Sequence, residues 1–316
     1  MGMLECGMDL KTFKDLGGET WRVRRLISKD DPHWSAFNPS IGLNPDGSLI
    51  ALFRSSNYVI DPNNGSIIIV QGNKVRNRLY FSPLDSEFKP VELTEIHIIN
   101  SPFPLVRGVE DAKLYYRDSS WYFTGVIKES DYCPTPKLAT FKLLSPNSAE
   151  LLRIWDLTAE ITEKNWMAPR DNKNFDFIYG PTSVVKNNKI VEVRELSDSI
   201  RKIRGNTNLL DLPDGSYLSV VHETRGVRSA EYYDPKSFSV RSSVLREYSH
   251  RFAFYSSGGV LIKLSKQFCF ESPGIEYAAG LILKDGYIYV SYGKKDIRSH
   301  VAKISMDLVL DMLEEV

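Results

Sequence analysis

IGLNPDGSLIALFR, residues 41–54, reads as an apolar strand, an Asp46-Gly47 turn and a second apolar strand that ends on a guanidinium. The same arrangement returns four times: AKLYYRDSSWYFTG from Ala112, WMAPRDNKNFDFIYG from Trp166, NLLDLPDGSYLSVVHE from Asn208 and LILKDGYIYVSYG from Leu281. Asp-Gly pairs at 46–47, 214–215 and 285–286 supply the positive φ angles of tight hairpins. A single hairpin cannot bury its own apolar face, whereas a ring of hairpin-bearing sheets buries all of them. The turns recur at a mean spacing of about 60 residues, the length of a four-stranded blade with its loops. The chain is therefore expected to be all-β: a five-bladed β-propeller forming one domain over residues 1–316. Residues 1–30 are a lead-in, and 305–316, opening on Ser305 as a cap, a short C-terminal helix. A β-sandwich would need fewer, differently spaced hairpins.

Composition narrows the function. The 316 residues are 42% apolar, which suits a globular protein with ample core. Lys plus Arg number 40 and Asp plus Glu 40, so no net field favours nucleic acid or an anionic membrane. A neutral ligand such as a sugar suits that balance. Cys6, Cys133 and Cys269 have neither CxxC spacing nor an even-numbered framework, which points to a reducing, cytoplasmic setting. The first 18 residues do not read as a signal peptide, and no window is apolar enough for a spanning helix. Asn64-Gly65-Ser66 then reads only as a turn.

The most pointed segment for chemistry is RGVEDAKL, residues 107–114. Glu110 and Asp111 open an inner strand, where alternation would send one carboxylate into the central funnel and the other into the blade. Desolvation can raise such a group's pKa and make it a proton donor to a leaving oxygen; the plainer reading is a pair of carboxylates satisfying backbone donors. Arg204, before the fourth hairpin, can meet an oxyanion or diphosphate, or simply brace a loop. His222 and Glu223 end a strand, and their HETR context lacks the second histidine of a zinc motif, so no metal is expected. His222 is expected to bind sugar from the funnel, and His250 or Arg251 is a candidate to reach the same pocket. Glu276, at the start of the last inner strand, is either a general base for water or a partner for a neighbouring arginine. Trp34, Trp121, Trp166 and Tyr292 offer faces for sugar stacking, although such aromatics also pack between blades.

GVEDAKLYYRDSSWYFTG, from Gly108, resembles the Gly-x-Glu-Asp-Pro-Arg segment of glycoside hydrolase family 130, the β-mannoside phosphorylases and hydrolases. Phe37-Asn38-Pro39-Ser40 with the following Phe53-Arg54, Glu163-Lys164-Asn165-Trp166, Val221-His222-Glu223, and Ala279-Gly280 through Ser291-Tyr292-Gly293-Lys294-Lys295-Asp296 resemble further elements of that family, in order. The pattern is also similar to glycosyltransferase family 108, mannosyltransferases of the same propeller. The resemblance implies Asp111 as proton donor to the glycosidic oxygen with Glu110 as companion. It implies Asn38, Arg54 and Asp296 around the sugar and Lys164 on phosphate. The chain departs from the pattern at Ala112 and Lys113, where the family has Pro and Arg, at Tyr179-Gly180, where phosphorylases have His-Arg, and at Glu276-Tyr277.

The expected activity is inverting cleavage or transfer of a β-mannoside-like bond without a cofactor. Water, inorganic phosphate or an acceptor hydroxyl would attack in a hydrolase, phosphorylase or nucleotide-sugar transferase respectively. A non-catalytic sugar-binding propeller is the rival from another class. A homo-oligomer is compatible with all of this.

Overall fold

The computed structural model describes residues 10–23, 27–28, 31–61, 65–129, 131–133, 135–157, 164–170, 174–234 and 239–316, with the backbone path alone for 27–28, 31–33, 199, 227–234 and 239–245. Cys6, Asn64, Glu163 and the turn expected near residue 173 lie outside the described residues.

Strands dominate, as the repeated hairpins require. The first sheet meanders through Asp31–Leu43, Leu49–Ser56 and Asn77–Leu84, edged by Ile27–Ser28 and Thr94–Glu95. The second runs Val109–Arg117, Ser120–Ile127, Lys137–Ser145 and Ser148–Ile154, with His97–Ile99 added in parallel at its outer edge. A small sheet follows, Phe177–Gly180, Ser183–Lys186 and Lys189–Glu192. The next is built around the hairpin Tyr217–Asp234 and Ser239–Tyr255, whose strands are about twice as long as the eight- and nine-residue strands elsewhere. The last comprises Glu276–Lys284, Tyr287–Lys294 and Arg298–Ser305. Four of the five repeats thus fall where strand pairs form, and the third is held by an isolated bridge. The arrangement is propeller-like, with four blades of four or more strands.

The expectation of five full blades is not met. The third repeat yields only four-residue strands, and Met167 joins Ile178 through an isolated bridge, N–H to O at 3.0 and 2.9 Å. Its sequence explains the shortfall, because PRDNKN interrupts the β-forming residues that the other repeats keep continuous. The terminal helix is shorter than expected too. It covers Met306–Asp311, Ser305 occupies the cap position without a side-chain capping bond, and Glu314–Glu315 turns back as an edge strand against Leu261–Leu264.

The innermost strands would each leave backbone groups unpaired at the hub, and buried polar side chains answer them. Ser40 Oγ donates to the Ala279 carbonyl at 3.0 Å and accepts from the Leu114 N–H at 2.8 Å, tying three sheets at one atom. Ser291 Oγ accepts from the Ile41 N–H and donates to the Pro39 carbonyl. The Asn208 amide donates to the carbonyls of Lys113 and Leu114 at 2.9 and 3.0 Å and accepts from the Ala168 N–H at 2.9 Å. Between sheets the filling is apolar and aromatic, as where Phe13, Phe252, Phe268 and Phe270 pack together. Strand Glu19–Arg22 pairs with Arg298–Ser305 and joins the N-terminal part of the chain to its last sheet.

Asn208→Ala is expected to destabilise the protein by about 2–4 kcal/mol, because it strands two carbonyls and one N–H at a dry hub. Urea denaturation monitored by tryptophan fluorescence measures this; a loss below about 0.5 kcal/mol contradicts the hub's role.

Candidate active site

Gly108 introduces the key strand at φ 73°, and a Cβ there would stand 2.2 Å from the Asn77 carbonyl oxygen, so this approach is open only to glycine. The pairing then slips between Glu110 and Lys113, with Asp111 in the left-handed region at φ 49°. The bulge breaks the alternation expected from the sequence. Both carboxylates consequently reach one guanidinium: Arg54 Nη1 donates to Asp111 Oδ1 at 2.9 Å, and Nη2 lies 3.7 Å from Glu110 Oε1.

Arg54, 5% exposed, is the centre of the network. Its Nε donates to Asn77 Oδ1 at 2.9 Å and its Nη2 to the Tyr58 hydroxyl at 3.2 Å, while its plane lies over the Phe37 ring at 5.2 Å. Tyr58 passes the chain on, donating to Asp296 Oδ2 at 2.8 Å. Asn38, at φ 46° in a bulge of the first sheet, donates from Nδ2 to Asp111 Oδ1 at 3.1 Å. Gly293 makes room for it, since a Cβ there would overlap the Asn38 side chain. Asp296 is likewise left-handed, at φ 52°. Three residues in a conformation that side chains disfavour converge here, the pattern of a functional site.

Asn38, Arg54, Asp111 and Asp296 line one cavity of about 480 Å³, with Ile60, Ile67, Arg246, Tyr248 and Tyr277 on its other walls. A second cavity of about 670 Å³ shares Asp111, Arg246, Tyr248 and Tyr277 with it and adds Lys164, Arg201, Arg204, His222 and Thr224. Asp111 thus borders a space rich in hydrogen-bonding groups and another ringed by cations. His222 stacks on Tyr248 at 5.4 Å. Burial first, then the charges of His250, Lys113, Lys164 and Arg204, hold its pKa well below the ordinary value, so it is neutral. With its amide turned to satisfy both ends, Asn206 donates to His222 Nδ1 at 3.2 Å, which leaves Nε2 as the N–H donor.

Electrostatics revise one expectation. Burial alone would raise the Asp111 pKa, but Arg54, the Asn38 hydrogen bond and Lys164 outweigh it and hold the carboxyl below its usual range. Asp296 goes the other way: burial raises it, and the negative charges of Asp111 and Glu110 add to this against the opposing pull of Arg54 and the Tyr58 hydroxyl. Lys113, 2% exposed, donates to the Trp166 carbonyl at 3.4 Å, and burial brings its pKa down to about 7.

Several sequence candidates stand elsewhere. Glu276 is fully buried and accepts from the N–H groups of Phe270, Glu271 and Ser272 at 2.7, 3.1 and 3.3 Å. It pins a loop, lines neither cavity, and so is not disposed as a base for water. Glu223 points to the opposite face of its strand from His222 and accepts from Arg251 Nε at 2.9 Å. His250 is buried against Phe270, with a pKa lowered by burial to about 3, and Tyr292 stacks on Phe270 at 4.1 Å while donating to Glu271 Oε1 at 3.0 Å. Trp34, Trp121 and Trp166 do not line the two cavities either. Trp166 packs with Trp155 and Phe177. Conversely, Tyr58, Asn77, Arg246, Tyr248 and Tyr277 belong to the site and were not singled out by the sequence. A tyrosine four residues beyond Arg54 was the one visible sign, because the strand's end brings both to the same mouth.

Arg54→Met is expected to cost about 1–3 kcal/mol of stability, since it takes the cation from the part-buried carboxyls of Asp111 and Glu110 and the donor from the buried Asn77 oxygen. The pH dependence follows from the lowered Asp111 pKa. Its stabilisation is complete above the unfolded value of about 4 and is lost as pH falls through the lower folded value. Denaturation curves from pH 7 to 2.5 should therefore lose less stability on the acid side in Asp111→Asn than in the wild type; equal slopes refute the assignment.

No sequence model of a protein family matches the chain, and no curated protein does. Solved structures do. A β-1,2-mannobiose phosphorylase from Listeria innocua superposes with TM-score 0.61 at 10% identity, over 93% of this chain and 99% of that one. A mannose phosphorylase from Leishmania mexicana, solved with phosphate ion, gives TM-score 0.56 at 12% identity over 94% and 92%. A GDP-Man-dependent mannosyltransferase from the same organism gives TM-score 0.56 at 11% identity over 91% and 89%. Through these neighbours the chain is recognised as having the fold of glycoside hydrolase family 130, which extends to a mannosyltransferase.

Proposed function

We propose that the protein is a carbohydrate-active enzyme that moves a β-mannosyl-type unit, with inversion, between a sugar hydroxyl and an anionic partner. The observation that carries this is the position of Asp111 on the border of two adjoining cavities. In one, Asn38, Arg54 and Asp296 offer the directional donors and acceptors that sugar hydroxyls require. In the other, Lys164, Arg201, Arg204 and Arg246 offer positive charge to a phosphate, free or as part of a nucleotide sugar. Asp111 transfers the proton of the oxygen between donor and acceptor, as general acid in cleavage and general base in synthesis. Its lowered pKa leaves it ionised at rest, poised to take a proton from an acceptor hydroxyl.

The basic second cavity favours phosphorolysis or transfer over hydrolysis, even though Tyr179-Gly180 stands where phosphorylases have His-Arg. The structural neighbours include phosphorylases, glycoside hydrolases and a transferase, and so do not separate these routes. We also count the three-stranded sheet 177–192, with the strand segment at Met167 bridged to it, as a fifth blade of a single domain.

The purified protein incubated with β-mannobiose should release mannose 1-phosphate when phosphate is present. If it is a transferase, it should instead elongate an oligomannoside acceptor from GDP-mannose. Asp111→Asn should lower the rate by about 10²–10⁴-fold. Sugar binding that survives in a wild type with no turnover under any of these conditions would establish the sugar-binding rival.

A further inference from the structure

We infer that Asp296 works as a neutral carboxylic acid, donating a hydrogen bond to the sugar bound in its cavity instead of accepting one. This rests on the sugar-site reading above and adds the protonation state of one of its groups. The argument is one of supply. The described cation in contact with this cluster is Arg54, and each of its nitrogens is engaged: Nε with Asn77, Nη1 with Asp111, Nη2 with Tyr58 and, at 3.7 Å, with Glu110. Among the described residues, the side-chain donor that reaches Asp296 is the hydroxyl of Tyr58, at 2.8 Å on Oδ2. A phenol stabilises a carboxylate far less than a guanidinium does.

Asp111, by contrast, takes both an Arg54 nitrogen and the Asn38 amide on its Oδ1. Two carboxyls on one cavity, one well supplied with donors and the other not, divide into an ionised and a protonated member. The charged and titratable groups facing Asp296 agree with this division. Burial comes first, Asp111 and Glu110 oppose a further negative charge, and Arg54 and the Tyr58 bond only partly offset them. Tyr248 shares the cavity, its own pKa raised by burial, and Arg246 stands on the cavity wall. A protonated carboxyl has an O–H to give, which an ionised one lacks. It therefore complements a sugar oxygen whose own proton is directed elsewhere.

Carboxyl-selective ¹³C-aspartate NMR tests this without any substrate. One resonance should still be protonated at the pH of the activity assay, well above the pH of about 4 at which ordinary aspartates ionise. It should be missing from Asp296→Asn and, in Asp111→Asn, persist at a lower pKa because a neighbouring charge has gone. If every aspartate titrates in the ordinary range, or the late resonance survives in Asp296→Asn, the inference is overturned. Kinetics then probe the donor role with β-mannobiose and phosphate, or GDP-mannose and acceptor. Asp296→Ala should reduce kcat/KM by about 30-fold, the loss of one buried hydrogen bond. Asp296→Asn, neutral and able to donate, should recover most of that and lack the wild type's alkaline decline. Asn performing no better than Ala overturns the role. A wild type inactive on these sugars would instead defeat the proposed function and leave the titration as the deciding result.

Discussion

Among the described residues, the blade-forming sheets end on their inner side in a strand edge that has no further strand to pair with. Water cannot reach the dry part of the hub, so those backbone groups must find partners among side chains or go without. Ser40, Asn208 and Ser291 meet that demand, each bridging between sheets at hydrogen-bond distance. Small hydroxyl and amide groups suit the position because they fit where strands crowd most closely. The radial arrangement of the sheets, and with it the meeting of Asn38, Asp111 and Asp296 from three separate parts of the chain, depends on this cross-sheet bonding.

The second constraint is that a single buried guanidinium serves several acceptors. Arg54 is fixed by Asn77 and by contact with Phe37, so it is in place before any ligand arrives. Preorganised charge of this kind stabilises a reacting centre without the cost of reorienting solvent. Because its donors are finite, the carboxyls around it cannot all be equally served. Difference in protonation among chemically identical groups is then a product of geometry, not of residue type.

Much of the fold was legible because hairpin chemistry is local. Asp285-Gly286 adopts positive φ at both residues, and the strands flanking each repeat form as their β-branched and aromatic content demands. The third repeat was overestimated, since the spacing of turns says nothing about how many strands a blade can complete. The resemblance names Asn38, Arg54, Asp111 and Asp296, which the structure brings to one cavity, whereas plain strand periodicity would not have grouped them. Bulges at Phe37/Ser40, Glu110/Lys113 and Ala278/Gly280 reset which face each side chain occupies. Glu276, which the sequence offers as a base for water or as a partner for an arginine, instead accepts from the N–H groups of Phe270, Glu271 and Ser272. His222 and Glu223 are both candidates in the sequence, although adjacent residues on a regular strand take opposite faces, and of the two His222 lines the cavity. His250 and Tyr292 show the remaining ambiguity: a buried aromatic or imidazole looks the same in sequence whether it lies beside a ligand or among phenylalanines.

The antiparallel join between Glu19–Arg22 and Arg298–Ser305 acts as a latch with a long reach, since Thr20 faces Ala302. Bringing such distant segments together carries the entropy of closing nearly the whole chain, so the latch engages late in folding and rewards only a ring already near completion. Asp296 sits in the bend between Tyr287–Lys294 and the very strand that the latch grips. Its carboxyl therefore reaches its working position only once the ring has shut. An open ring, whether newly made or coming apart, would be a folded-looking body in which the run from Arg54 through Tyr58 to Asp296 is unmade, so the candidate site reports on the integrity of the whole circle.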